Sequence, residues 1–356
     1  MKAVLLTGHG GFDKLSYRQD VPVPKPGSEE VLIKIAAAGV NNTDINTRIA
    51  WYSKGVTGET NQGGETGFSE ANSEDGGWSG TALEFPRIQG ADICGHIVAA
   101  GKNISKKRIG ERVLVRNMLR SYVDYRPFEC WTIGSECDGG FAQYTKAPAR
   151  ETWAVNCNWT DAELGSVPCA YSTAEGMLQR ASVGAETILI TGASGGVGSA
   201  AVQLAKVRGA HVVAVASSSK IAAVKALGAD VVIDRSKNLV DQLGEQSIDV
   251  VADLVVGTQW NSLLDILKRG GRYVAAGAIA GPLVELDVRT LYLKDLSLFG
   301  CTFQQDSVFQ NVIKCIEENQ IKPFVSQTYP LSDIVLAQQD FIDKKFPGKL
   351  VLIPPN

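Results

Sequence analysis

Residues 187–209 read TILITGASGGVGSAAVQLAKVRG. The opening TILIT is an apolar run of strand length, and Gly192, Gly195 and Gly198 follow it at three-residue spacing. Val197, Ala201, Leu204 and Ala205 then fall on one face of a helix. A strand that turns into a helix through glycines leaves bare backbone N–H groups at the helix start, where a pyrophosphate is held. The last glycine lets helix and strand pack closely. Downstream, HVVAVAS, SKIAAVKALGA, VVID, NLVDQLGE, DVVADLV, QWNSLLDILKRG and RYVAAGA alternate strand and helix patterns without hairpin signals. That rhythm predicts an α/β fold, a doubly wound parallel sheet with helices on both faces. Within it, Gly192, Ser194, Gly195, Gly196, Val197 and Gly198 form a dinucleotide-binding turn.

The second strand of this motif ends in VAVASSSK, residues 213–220. A free ribose 2′-hydroxyl is commonly held there by Asp or Glu. Here Ser217, Ser218, Ser219 and Lys220 offer hydroxyls and a cation, which suit a 2′-phosphate and predict NADPH over NADH. The plainer alternative is a helix N-cap by one serine beside a solvated lysine.

Working outward, 356 residues suit two domains. The first ~150 residues read as β-rich, with KAVLLTG, EEVLIKIAAAG, DICGHIVAAG, GERVLVR and GGFAQYTKAP as short strands between turn residues. Residues 53–85 break the pattern: rich in Gly, Ser, Glu and Thr and without apolar periodicity, they are a solvated loop or a lid. Trp78 and Phe85 favour partial order. The net charge of -3, without a basic block, argues against nucleic acid as a partner. No apolar run is of membrane-spanning length, and MKAVLLTGHGGFDK reads as a first strand rather than a signal segment. Seven scattered cysteines suit a reducing cytoplasm, and three histidines make a histidine-rich metal centre improbable.

The order AAGVNNTDI, GADICGHIVAAG, GERV, GGFAQY, TGASGGVGSAAVQLAK, ALGAD and GKLVL resembles the medium-chain dehydrogenase/reductase superfamily over nearly the whole chain outside 53–85. GASGGVG is similar to the zinc-independent quinone oxidoreductase, or zeta-crystallin-like, branch. The resemblance implies a GroES-like β-rich catalytic domain (1–157 and 305–356), a Rossmann domain (158–304), a cleft between them and a homodimer. It also implies where a catalytic zinc would sit. Asn41 stands at the first thiolate position, Ala91 at the imidazole position with Asp92 after it, and only Cys169 matches a third ligand. One thiolate does not make the three-ligand site that zinc needs. Cys130 and Cys137 alone do not replace the four cysteines of a structural zinc lobe, so no metal is expected.

By the same resemblance Asn41 contacts the cofactor or orients a substrate carbonyl. Asp44 is a catalytic candidate, more simply read as tying the turn through backbone N–H groups. Asn42 and Thr43 claim no more than turn formation. Tyr52 is the candidate proton donor, with solvent or a core-aromatic role as alternatives, and Trp78 could stack on a flat substrate. Thr173 matches the family's threonine near the nicotinamide. Val255, Gly257, Gly277, Ala278, Ile279, Phe299 and Cys301 lie at strand ends, where ligands of open α/β sheets bind. Lys349 in the returning GKLVL segment approaches the cofactor.

Without a metal electrophile, a saturated aldehyde is a poor hydride acceptor. A quinone or an α,β-unsaturated carbonyl spreads charge onto its oxygen and needs only hydrogen bonds. The expected activity is therefore NADPH-dependent reduction of a small conjugated carbonyl or quinone. An alcohol dehydrogenase with an atypical metal site and a non-catalytic NADPH-binding protein are the alternatives.

Overall fold

Six parallel strands form the sheet that the glycine stretch begins, in the order Val231–Asp234, His211–Ala216, Thr187–Ile190, Ile248–Asp253, Leu267–Ala275 and Ser297–Gly300. The computed structural model describes residues 1–356. Successive strand residues point to opposite faces, so both faces of this sheet are apolar. Ile188, Ile190, Val212, Ala214, Val250 and Ala252 pack on one side with helices Pro168–Arg180, Gly196–Val207 and Asp306–Glu317. Leu189, Val213, Val215 and Val251 pack on the other with helix Trp260–Asp265. The chain leaves Thr187–Ile190 toward one edge and later returns on its other side at Ile248–Asp253. That reversal marks the crevice where ligands of open sheets bind.

The QWNSLLDILKRG stretch is helical only to Asp265, and strand already runs from Leu267. The backbone turns through Gly270, at φ +73°, before pairing resumes at Arg272. Helix Asp306–Glu317 lies beyond residue 304, where the sequence reading changes domain. Its Phe309, Val312, Ile313 and Ile316 nevertheless pack in the core of the parallel-sheet half.

The other half is built on a seven-stranded sheet centred on the ten-residue strand Glu30–Gly39. It pairs with Cys94–Ala100 and Tyr144–Pro148, and near Gly39 with the C-terminal strand Lys349–Ile353. That last pairing carries Lys349 to the end of the central strand. The turn expected at residues 41–44 is instead the start of helix Asn42–Arg48, with Asn41 as its N-cap. Asp44, three residues on, accepts from the Asn41 backbone N–H, the reciprocal bond of a capping box.

Segment 53–85 holds one 3₁₀ turn, Thr60–Gly63, and is otherwise bends and turns. It is nonetheless anchored on several sides. Thr60 N–H donates to Ile279 O of the parallel-sheet half at 3.2 Å. Trp78 and Ser79 N–H groups donate to Ser135 Oγ and Glu136 Oε1 at 3.3 and 3.0 Å. From beneath, the fully buried Arg48 donates to Gly64 O, Gly10 O and Gln338 Oε1 at 2.6–2.9 Å. The segment thus spans from one half of the molecule to the other. No helix of the chain is long and apolar enough to cross a membrane.

Candidate active site

At the end of the central strand, Gly39 leaves room that no other residue would. A Cβ there would lie 2.4 Å from Asp92 Oδ2 and 3.1 Å from Lys349 Cε. Lys349 Nζ fills the space, donating to Asn41 Oδ1 at 2.5 Å, Asp92 Oδ2 at 2.9 Å and Val40 O at 3.2 Å. The Asn41 amide in turn donates to Asp92 Oδ2 at 2.8 Å and Gly39 O at 3.2 Å. Asp92 Oδ1 accepts the Cys169 backbone N–H at 2.6 Å. Both ends of the Asn41 amide are therefore committed inside the protein. Burial, reinforced by Asp92, pushes the Cys169 thiol well above its usual range, so it stays protonated.

The zinc positions implied by the family resemblance can be tested on these groups. They hold an engaged amide (Asn41), a methyl group (Ala91) and a single thiol (Cys169), with a lysine ammonium hydrogen-bonded to the first. This donor set does not fit catalytic zinc, which binds thiolate, imidazole or carboxylate.

Asp44 lies beneath the same cluster. Its carboxyl accepts from the Asn41, Gly90 and Ala91 backbone N–H groups at 2.8, 3.2 and 3.3 Å. Burial pushes it up to about 7; Asp92 adds to the rise, while the Asn41 N–H and the Lys349 ammonium oppose it.

Tyr52 sits on the other side of the helix start. Its hydroxyl donates to Thr43 Oγ1 at 3.1 Å, and burial raises the phenol well above its ordinary value. The ring stands edge-on to Trp78 of the inserted segment, 5.1 Å between centres. Asn46 lies beside Tyr52, and both Asn42 Oδ1 and Asn46 Oδ1 are buried without a hydrogen-bond partner. Sequence reasoning gave Thr43 no more than turn formation and passed over Asn46. Once 42–48 is read as helix, their i, i+3 spacing puts them on one face.

The glycine turn has the shape its residues imply. Gly192 is left-handed at φ +58°, and a Cβ on Gly198 would lie 2.2 Å from Gly192 O. Ser194 O accepts the Gly348 N–H at 2.8 Å, tying the turn to the C-terminal segment. Gly195 and Val197 flank Gly196, where a Cβ would meet Lys349 Cδ at 2.7 Å. Lys349 thus runs from the glycine turn to Asn41.

At the next strand end, Ser217 precedes the 3₁₀ turn Ser218–Lys220. Lys220 Nζ donates to Lys344 O at 2.9 Å, and burial and nearby Arg235 lower its pKa. Arg235, one residue past Val231–Asp234, is a cation that sequence reasoning passed over.

Val255 and Gly257 follow a fully buried carboxylate, Asp253. It accepts from Thr191 Oγ1 at 2.5 Å, Tyr273 OH at 2.6 Å and the Val255 and Val256 N–H groups at 2.9 and 3.1 Å. Val256 is held at φ +60°, a strained conformation for a β-branched residue. Gly277, Ala278 and Ile279 follow strand Leu267–Ala275, and Ile279 O meets the inserted segment at Thr60. Thr173 is half-buried on helix Pro168–Arg180, one turn past Cys169. Phe299 and Cys301 belong to the outermost parallel strand and the segment leaving it. Cys301 is buried against helix Pro168–Arg180, which pushes its thiol up to about 11.

Residues 27–156 match the alcohol dehydrogenase GroES-like domain family, and residues 196–318 the zinc-binding dehydrogenase family. A solved structure described as a putative alcohol dehydrogenase from Sinorhizobium meliloti is 45% identical, with a TM-score of 0.89 over 100% of this chain and 97% of that one. An acryloyl-coenzyme A reductase of Metallosphaera sedula is 28% identical over 99% of both chains. A quinone oxidoreductase of Homo sapiens is 26% identical over 99% of this chain and 98% of its own.

Proposed function

The chain belongs to the medium-chain dehydrogenase/reductase superfamily, and from that premise we propose that it reduces quinones or α,β-unsaturated carbonyls with NADPH and without zinc. One observation carries this reading: Lys349 is seated between Asn41 and Asp92, where the family's zinc ligands begin. With that position filled by an engaged ammonium, the polar capacity left for a substrate is the Thr43–Tyr52 hydroxyl pair and the amides of Asn42 and Asn46. The hydroxyl donors of that pair stabilise the spread charge of a conjugated acceptor better than the localised alkoxide of a simple aldehyde, while the unpartnered Asn42 and Asn46 Oδ1 atoms are acceptors only. When bound, reduced nicotinamide supplies a hydride to the acceptor, is itself oxidised, and a proton completes the reduced product.

The residues divide the remaining work. Thr43 accepts from Tyr52 and keeps its own O–H to donate to the substrate oxygen. Tyr52, neutral because its pKa is raised, is the proton reserve behind it. Its ring meets Trp78 edge-on beside the hydroxyl pair, and the anchored segment 53–85 keeps water from the reacting carbonyl. On the cofactor side, the turn 192–198 would hold the pyrophosphate, and Lys220 and Arg235, with Ser217 and Ser218, would hold the 2′-phosphate. Asp253 fixes the loop that carries Val255 and Gly257, and that loop with Thr173, Gly277–Ile279, Phe299 and Cys301 would line the nicotinamide side.

Two relatives are named for conjugated acceptors, acryloyl-coenzyme A and quinones, which supports the acceptor class. A homodimer is part of the proposal. Leu283, Val288, Tyr292 and Leu293 are exposed beside the free edge strand Ser297–Gly300, apolar surface that a second copy would cover. The test is NADPH oxidation by chelator-treated protein with a quinone, a 2-alkenal and the matching saturated aldehyde. Turnover of the first two with the third inert is expected. Chelator-sensitive turnover of the saturated aldehyde refutes the reading.

A further inference from the structure

Six side chains form a ladder of three guanidinium groups and three rings across the junction of the two halves. Arg150 lies 5.3 Å from the Tyr125 ring centre. Arg120 lies 5.3 Å from the same ring and 5.0 Å from Phe303. Phe303 is 5.3 Å from Phe128, and Arg180 stands 5.6 Å over Phe128. Arg120 is paired with Asp306 at 3.2 Å. Arg150 and Arg180 have no carboxylate partner and no hydrogen bond, so both forks are free.

The mutual stacking does not bury the cluster, and backbone preference does not favour it. Phe128 is 69% exposed, and Asp124, Tyr125 and Phe128 are left-handed at φ 50°, 56° and 62°. Such conformations are disfavoured for side-chain-bearing residues, persist only where the surrounding structure holds them, and cluster at functional sites. A free guanidinium fork matches phosphate oxygens, and an exposed ring beside it stacks on a flat base. Together they have the chemistry of a phosphorylated purine nucleotide receptor.

Its position ties it to the substrate. Arg180 ends helix Pro168–Arg180, whose first turns carry Cys169 and Thr173. At 1.5 Å per residue, Arg180 lies about 10 Å along the axis from Thr173. Phe303 comes two residues after Cys301, and neighbouring Gln304 donates to Ser172 Oγ at 2.9 Å. The ladder is therefore an arm's length from the reacting centre, beyond the reach of a small enone alone.

We propose that the acceptor is a conjugated acyl thioester carried on a phosphorylated purine nucleotide, of the coenzyme A type. The acyl end lies at Thr43 and Tyr52, and the nucleotide end rests on Phe128 and Arg180. This rests on the conjugate-reduction reading above.

The full chain would be assayed at saturating NADPH with crotonyl-coenzyme A, crotonyl-pantetheine and a quinone. The pantetheine ester keeps the acyl group and arm but lacks the nucleotide. The coenzyme A ester should show a kcat/KM about tenfold or more above the pantetheine ester, carried by KM. Arg180→Glu and Phe128→Ala, both at exposed positions, should erase that advantage and leave the other two acceptors within about twofold of wild type. Calorimetry of free coenzyme A against the NADP⁺-loaded protein should lose its binding signal in Arg180→Glu. Equal kcat/KM for the two thioesters in wild type, or an equal loss on all three acceptors in the variants, overturns the nucleotide site alone. Failure of every conjugated acceptor overturns the reduction reading and this inference with it.

Discussion

Lys349→Met removes the cation from the centre of the site while keeping most of the side chain's length. In the native protein Lys349 is 3% exposed and Asp92 0%, with 2.9 Å between ammonium and carboxylate. The variant leaves Asp92 charged, buried and served by two neutral donors, the Cys169 N–H and the Asn41 amide. Breaking a buried pair from one side costs about 3–5 kcal/mol, and the surviving donors place this case near the lower end, about 3 kcal/mol. Adding Asp92→Asn removes the stranded charge while keeping an oxygen for the Cys169 N–H. The double variant should therefore recover most of the loss and lie within about 1 kcal/mol of wild type. Urea unfolding followed by the fluorescence of the six tryptophans measures all three proteins. A single variant as stable as wild type, or a double variant less stable than the single one, would refute the reasoning.

Four shorter predictions follow from the same geometry. Arg48→Met strands Gly10 O, Gly64 O and Gln338 Oε1 and should cost about 3–5 kcal/mol, with faster proteolysis near Gly64; an unchanged digestion pattern counts against Arg48 as the anchor. The Asp44 carboxyl, raised from 3.8 to about 7, favours its protonated form in the folded state. Its contribution is full below 3.8 and lost as pH rises toward 7, so wild type should lose up to about 1.4 kcal/mol per pH unit relative to Asp44→Asn, and parallel stability curves for the two proteins would contradict this. Tyr52→Phe and Thr43→Val should each lower kcat about 10²-fold with little change in the KM for NADPH, whereas an unchanged kcat removes the hydroxyl pair from the mechanism. Lys220→Ala with Arg235→Ala should raise the KM for NADPH at least about tenfold and leave that for NADH alone; equal effects on both cofactors would remove these cations from the 2′-phosphate.

What the sequence discloses here is what local spacing determines. The TILITGASGGVG stretch, with its strand, turn and helix in immediate succession, implies the parallel sheet that the structure contains. Other features lie in pairings that no local pattern encodes. Lys349 meets Asp92 across 257 positions because the last strand pairs beside Gly39. Arg48 is a charged residue in a polar stretch, yet it is fully buried because the inserted segment and helix Ile334–Ile342 close over it. Asn41 and Asp44 did carry a local signal, the N-cap and its acidic partner three residues on, which distinguishes a helix start from a plain turn. Missing that signal hid Thr43 and Asn46, which share a helical face beside Tyr52. Trp78 sits in a segment without periodicity, and its place against Tyr52 depends on the anchors at Ile279, Ser135 and Glu136.

The central claim is conjugate hydride delivery at a site whose metal-ligand positions hold Asn41, Ala91 and Cys169, with the Lys349 ammonium bonded to Asn41. The most direct measurement uses NADPH deuterated at the nicotinamide C4, chelator-treated protein and a 2-alkenal, with the product examined by NMR. The account predicts deuterium on the β-carbon of a saturated aldehyde. Deuterium on the carbonyl carbon of an allylic alcohol, formed only when metal is restored, would contradict it.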